Sequence, residues 1–263
     1  MNKLITAFLV PALFSLTASA QLSGGDGSSG GKTKEKTKIK TKVGDAKPFT
    51  VKWNPASLAF GKIGLSGEYN LKRKKSVTFG IGIPLERTFT RNQTEERIDL
   101  RSKTFSVMAG YRMYLGKKSM TGFYFEPYLK HVNFKSTGIY DNKDAVDREI
   151  YQTTVTYAGT GVGAQVGVQF MIAKVVVFDL FLIGPEANIS KFEADFKDIQ
   201  SNVPWTVIQE QDARREIEDV LKDIPVIGDK TEVNVYRNER RVNAQYKGFL
   251  PGFRFGLSVG IHF

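Results

Sequence analysis

From residue 158 the chain reads AGTGVGAQVGVQF, with Val162, Ala164, Val166, Val168 and Phe170 at every second position and Gly161, Gly163, Gln165, Gly167 and Gln169 between them. A period of two is the mark of an extended strand with two unlike faces. The glycine spacing also has the look of a phosphate-cradling turn, with Asp179 placed where a ribose-binding acid would sit. Such a turn has to open a helix, so that backbone N–H groups can meet the phosphates. Here the alternation runs on past Gly163, which makes the segment a strand and removes the nucleotide reading.

The same phase recurs along the chain. Phe253, Phe255, Leu257, Val259, Ile261 and Phe263 alternate with Arg254, Gly256, Ser258, Gly260 and His262. Val77, Phe79, Ile81 and Ile83 oppose Ser76, Thr78, Gly80 and Gly82, while Phe105, Val107, Ala109 and Tyr111 oppose Ser106, Met108, Gly110 and Arg112. A soluble sandwich also alternates, but it buries its apolar face. Two features favour the inverse arrangement, with apolar residues outward. The segments have the length of tilted membrane strands and end near aromatic residues, and their polar sides are crowded with glycine and other small residues suited to a narrow interior.

Eight strands are expected, at about 47 to 54, 59 to 70, 75 to 87, 102 to 115, 122 to 135, 152 to 172, 174 to 186 and 250 to 263. The fold class is therefore all-β, an eight-stranded antiparallel up-and-down transmembrane β-barrel. Short connections at 71 to 75, 116 to 121 and around Ala173-Lys174 alternate with long ones at 87 to 101, 136 to 152 and 187 to 249. Outer-membrane barrels put short turns in the periplasm and long loops outside, which fixes the orientation. The longest connection, 187 to 249, contains two helix candidates. SKFEADFKDIQ places Phe192, Phe196 and Ile199 on one face after a Ser190 cap, and EQDARREIEDVLKDI places Ile217, Val220, Leu221 and Ile224 at helical spacing. Residues 231 to 247 alternate again and would extend the last strand pair.

A barrel of eight strands is just wide enough for its own side chains to fill. The inward phase carries Lys52, Lys62, Arg112, Lys130 and Arg254 against Glu68, Glu86, Glu126 and Asp179. Unpaired charge inside is costly, so these nine are expected to form one paired network. None of the carboxylates has a spacing diagnostic of acid and base catalysis. The competing reading of the same set is a narrow pore.

At the amino end MNKLITAFLVPALFSLTASA has the layout of a secretory signal peptide, one lysine, an apolar core and Ala18-Ser19-Ala20, so residues 1–20 are expected to be removed. Residues 21–46, rich in Gly, Ser, Thr and Lys, hold almost nothing apolar and read as a flexible periplasmic linker. The formal net charge of +11 owes much to that run. Export makes nucleic acid an unfitting partner for it and anionic envelope polymers or lipid a fitting one. No cysteine is present, which removes disulfides and thiol chemistry. Two distant histidines, His131 and His262, offer no metal-ligand spacing, so no metal, cofactor or catalytic residue is expected.

The stretches NPASLAFGKIGLSGEYNLKRKKSVTFGIGI, GYRMYLGKKSMTGFYFEPYLK and FGLSVGIHF, with the leader, resemble the small outer-membrane β-barrel proteins of Bacteroidota, and the architecture is similar to the OmpA membrane domain and OmpX. That resemblance implies outer-membrane lipid and the barrel-assembly machinery as partners. It also implies an assembly signal in Leu257, Val259, Ile261 and Phe263. Some eight-stranded outer-membrane barrels deacylate lipid A with His, Ser and an acid. His131 lies near the expected outer end of its strand, but Asn133 stands where those enzymes place serine. The expectation is a non-enzymatic outer-membrane protein with a structural, adhesive or accessory role, an envelope partner or extracellular ligand meeting it at 187–249. The alternatives are a narrow solute channel or transport component, and a lipid A hydrolase.

Overall fold

The computed structural model describes residues 48–72, 74–92, 96–116, 118–142, 149–222 and 230–263. The expected leader and Lys-rich segment lie outside the described residues. Ten strands follow one another: β1 (Phe49–Asn54), β2 (Lys62–Lys72), β3 (Lys75–Pro84), β4 (Arg87–Asn92), β5 (Glu96–Tyr114), β6 (Gly122–Asn142), β7 (Glu149–Ile172), β8 (Val176–Asp198), β9 (Glu232–Tyr236) and β10 (Arg241–His262). Among the described residues one α-helix, α1 (Val207–Lys222), falls between β8 and β9.

Eight of the strands close a ring in the order β1-β2-β3-β5-β6-β7-β8-β10, every pairing antiparallel, and β1 meets β10 to complete it. These are the eight strands expected from the alternation. The short turns are built for tightness. Ala173 and Lys174 both take positive φ, 52° and 59°, as a two-residue hairpin whose twist matches its strands requires. At the other end of β1, Asn54 caps a 3-10 turn over Pro55–Phe60, its side chain accepting from Ser57 N. Gly61 follows at φ 65°, and its carbonyl accepts from both Leu85 N and Thr104 N. A Cβ there would stand 2.6 Å from the Ser102 carbonyl oxygen, so glycine is required.

The wall is low on one side and tall on the other. β1, β2 and β3 span 6, 11 and 10 residues, whereas β5 to β8 and β10 span 19 to 24. The connections expected at 87 to 101 and 136 to 152 are thus largely strand, and the one expected at 187 to 249 begins and ends in strand. β4 pairs with Arg97–Ser102 of β5, β6 and β7 stay in register out to Asn142 and Glu149, and β9 pairs with Arg241–Gln245 of β10. SKFEADFKDIQ is not a helix. Ser190, Phe192, Ala194, Phe196 and Asp198 face one way and Lys191, Glu193, Asp195 and Lys197 the other, as the end of β8. Positions i and i+4 share a face in a strand as they do in a helix, and Ala194 between the two phenylalanines decides for the strand. The second helix candidate does fold as α1, with Ile217 and Leu221 buried; Ile224 lies outside the described residues.

The two sides of the wall exchange character partway up. Near the short turns the outer face is apolar, with Phe123 61% and Val162 59% exposed, and the bore is polar. Higher up, the outer face of β7 carries Thr160, Thr156, Thr154 and Gln152, and that of β8 carries Lys191, Glu193 and Lys197, while the inner face becomes Val132, Phe134, Val155, Phe192 and Phe196. β8 has an irregularity on the way. Gly256 faces Phe181 and Arg254 faces Gly184, while Val166 faces Ile183 and Gly167 faces Phe181, which leaves Leu182 as an extra residue on β8. That bulge moves the inward set from odd positions (Val177, Asp179, Phe181) to even ones (Gly184, Glu186, Asn188).

Candidate functional site

The bore near the short turns is filled by a charge cluster whose members come from all around the ring. Lys52 Nζ on β1 donates to Glu68 Oε2 at 2.6 Å, to Gln169 Oε1 at 2.6 Å and to Asp179 Oδ2 at 2.7 Å. Arg112 on β5 donates through Nε and Nη2 to Glu126 Oε2 at 2.9 and 2.7 Å, and through Nη1 to Gln169 and Asp179, both at 2.8 Å. The guanidinium also lies 3.7 Å from the centre of the Tyr124 ring. Neutral donors fill the remaining acceptor positions: Ser76 and Tyr114 to Glu68, Tyr124 to Asp179, and Thr78 and Gln165 to Glu126. All five charged groups are buried. Two cations face three carboxylates across the full width of the bore, and the geometry leaves each ion hydrogen-bonded on several sides. That is the condition under which buried charge is tolerated.

Of the nine residues expected in the bore, these five meet directly. Lys130 forms a separate pair higher up, donating to Glu186, which also accepts from Tyr128 OH at 2.9 Å. Lys62 reaches Ser106 Oγ at 3.1 Å and no carboxylate, and Arg254 packs over the rings of Phe181 and Tyr128 and against the Met108 sulfur. So the nine do not make one network. Glu86 is a correction of a different kind: β3 ends at Pro84, the alternation stops there, and Glu86 is exposed, 3.9 Å from Arg101 on the outer side. Glu186 takes the place it was expected to fill. By the phase of Val176–Leu182 it belongs outside, and only the Leu182 bulge turns it in. Tyr114, Tyr124, Tyr128, Gln165 and Gln169 were all on inward phase, and nothing short of the cross-bore geometry marks them as partners.

Above the cluster a cavity of about 180 Å³ remains, bounded by Lys62, Ser106, Met108, Lys130, Phe134 and Arg254. Over it the inward face turns apolar and packs against α1. Ala213, Ile217 and Leu221, on one helix face, join Phe192, Phe196, Val242 and Tyr246 in a continuous buried cluster. Thr206 starts the helix with a capping box, Gln209 N donating to Thr206 Oγ1 and Thr206 N to Gln209 Oε1. The segment leading into it is pinned by the β9–β10 hairpin. Arg240, at φ 50°, donates to Asp198 by two nitrogens and to the Val203 carbonyl at 3.0 Å, and Arg237 Nε donates to the Trp205 carbonyl at 2.6 Å. Arg240→Ala strips Asp198 of that partner and frees the Val203 carbonyl. About 2 kcal/mol of local stability is expected to go with it, read as faster amide exchange through 199–222 with the bore unchanged.

His131 lies on the outer face, its Nδ1 2.7 Å from Thr160 Oγ1, with Asn133 next along that face. His262 sits at the short-turn end against Thr50, 3.0 Å away. Among the described residues no group of three or more His, Cys, Asp or Glu could hold a metal ion. No helix among them is long and apolar enough to cross a membrane, which says nothing of strands. The closing strand presents Leu257, Val259, Ile261 and Phe263 on the outer phase, with Ile261 and Phe263 exposed and the Phe263 ring 5.5 Å from that of Phe49.

No protein-family model matches the chain, and no curated protein sequence matches it. Among solved structures it is similar to Acinetobacter baumannii CarO, with a TM-score of 0.43 and 8% identity over 83% of this chain and 98% of that one. The likeness is loose, and the ring stands on its own strand pairings.

Proposed function

We propose that this is a non-enzymatic barrel of the outer membrane, of the kind found in Bacteroidota, with its short turns in the periplasm and its tall, helix-packed end outside. The observation that carries this reading is the exchange of faces along β6, β7 and β8. Apolar residues point outward over the length of a tilted membrane strand and inward beyond it. Water on both sides would favour the second arrangement throughout, and only a hydrocarbon surround rewards the first.

In this reading the barrel is an anchor and the outer end does the work, in an adhesive or accessory role. Val203, Val207 and Ile208 support it: they cluster where the chain enters α1, and they are 69%, 52% and 71% exposed at the far tip, well away from the apolar belt. An envelope partner isolated with the protein in mild detergent is expected to be lost when all three are changed to serine. Identical co-purification would reject the tip as the contact.

The bore is proposed not to conduct, because the Lys52 and Arg112 cluster ties β1 and β2 to β5 through β8 across it. Planar bilayers holding the purified protein are expected to show no steady current, and an ohmic channel would favour a transport role. Leu257, Val259, Ile261 and Phe263 are assigned to recognition by the barrel-assembly machinery. Membrane fractionation of a chain lacking Phe263 tests that assignment, with a lowered outer-membrane share expected.

A further inference from the structure

In two places the barrel wall sets lysine directly opposite lysine. Between β5 and β6 the register puts Lys103 against Lys135, and between β8 and β10 it puts Lys191 against Lys247. All four point outward and are exposed. Like charges facing each other on one side of an antiparallel pair oppose the pairing. Among the described residues none of the four has an ion-pair partner to offset this.

Their level is a second observation. One pair nearer the apolar belt, the outward residues are Phe105 with Asn133 and Ile189 with Phe249; one pair further away they are Arg101 with Thr137 and Glu193 with Gln245. Ile189 and Phe249 are 74% and 56% exposed, so the belt is still fully apolar one step below the second pair. On β5, β8 and β10 the outer face changes from apolar to polar at the lysine, and on β6 it has already turned polar at His131 and Asn133, so Lys135 stands just beyond that line; the two pairs lie on different sides of the ring. Arg101, one residue pair beyond Lys103 on β5, is itself 3.9 Å from Glu86 and so adds no free cation to the first pair.

We infer that these two pairs bind phosphate groups of membrane lipids in the leaflet around the tall end of the barrel. The inference rests on the reading that the apolar belt lies in a bilayer. Given that, the four ammonium groups project sideways into the head-group layer rather than up into water. A phosphate monoester carries up to two negative charges on three acceptor oxygens, and each ammonium offers three donors. One phosphate between two facing lysines turns the repulsion of the pair into attraction for the anion. A lipid with two phosphates on a wide sugar head group is favoured over one with a single zwitterionic phosphate, whose own cation would compete with the lysines.

The test compares the wild-type protein with Lys103→Gln/Lys191→Gln, which breaks both pairs and leaves one lysine in each. Both are purified in a neutral detergent and supplied with bisphosphorylated lipid A or with the same lipid stripped of phosphate. Native mass spectrometry is expected to show wild type retaining the bisphosphorylated form about tenfold better than the stripped one, with most of that preference lost in the variant. Stability should reverse order. In detergent alone the variant unfolds at the higher temperature, because a repulsion has gone, whereas with bisphosphorylated lipid A wild type does. Equal retention of the two lipids, or equal preference in the two proteins, would overturn the inference while leaving the membrane reading intact. A protein that stays monomeric in water without detergent would instead overturn the membrane reading.

Discussion

Arg112→Met is expected to cost about 3–5 kcal/mol of barrel stability, because it leaves Glu68, Glu126 and Asp179 buried with Lys52 as the remaining cation of the cluster. Methionine fills much of the arginine volume, so the loss reports charge rather than a cavity. Urea unfolding in lipid vesicles, followed by tryptophan fluorescence, is the measurement. Adding Glu126→Gln to Arg112→Met should recover part of the loss, since Glu126 is the carboxylate Arg112 holds by two nitrogens. A loss below about 1 kcal/mol would mean that the cluster is open to water, and with it the bore.

The second large effect lies on the other side of the wall. Val166 is 43% exposed in the middle of the outward run Val162–Ile172, and Val166→Arg is expected to cost about 2–4 kcal/mol when the protein is embedded in a bilayer. For a residue this open to water the same change would fall within about ±0.5 kcal/mol. Thr156→Arg, outward on the same strand but beyond the exchange of faces, should be close to neutral. The contrast between the two positions maps the edge of the hydrocarbon layer along a single strand, and two equally mild substitutions would remove the basis for any membrane placement.

How much of this was legible in the sequence depends on what each segment's period could settle. Long runs such as Phe253–Phe263 gave the strands, the ring of eight and the inward side for Lys52, Glu68, Arg112, Glu126 and Asp179, because alternation is the same information as side-chain direction. Where alternation breaks, direction is lost. Leu182 inserts one residue and every direction after it reverses, so phase alone puts Glu186 outside; the strand through Asp198 reads as a helix because Phe192 and Phe196 fit both periods. Pro84 ends a strand, and Glu86 escapes the phase it was counted in. Partners across the bore were illegible for another reason. Lys62 and Arg254 share their inward side with the paired cations, and only the positions of eight strands around a closed wall separate a lysine that meets a carboxylate from one that meets a serine. The apolar interior of the tall end was hidden because its residues alternate like those below it, with the meaning of the two faces exchanged.

The joint between first and last strands has a mechanical consequence. β1 meets β10 over five residue pairs, from Phe49 with Phe263, which exchange both backbone hydrogen bonds, to Trp53 with Val259, while β8 grips the other edge of β10 almost from end to end. Hoop strength around the cylinder is therefore uneven. Under sideways tension the staves would part first at that short seam, where the two free edges facing a neighbour would carry Val51, Trp53, Val259 and Ile261. If this barrel ever zips onto another β-protein, or is itself released from one during insertion, that is where the wall gives way.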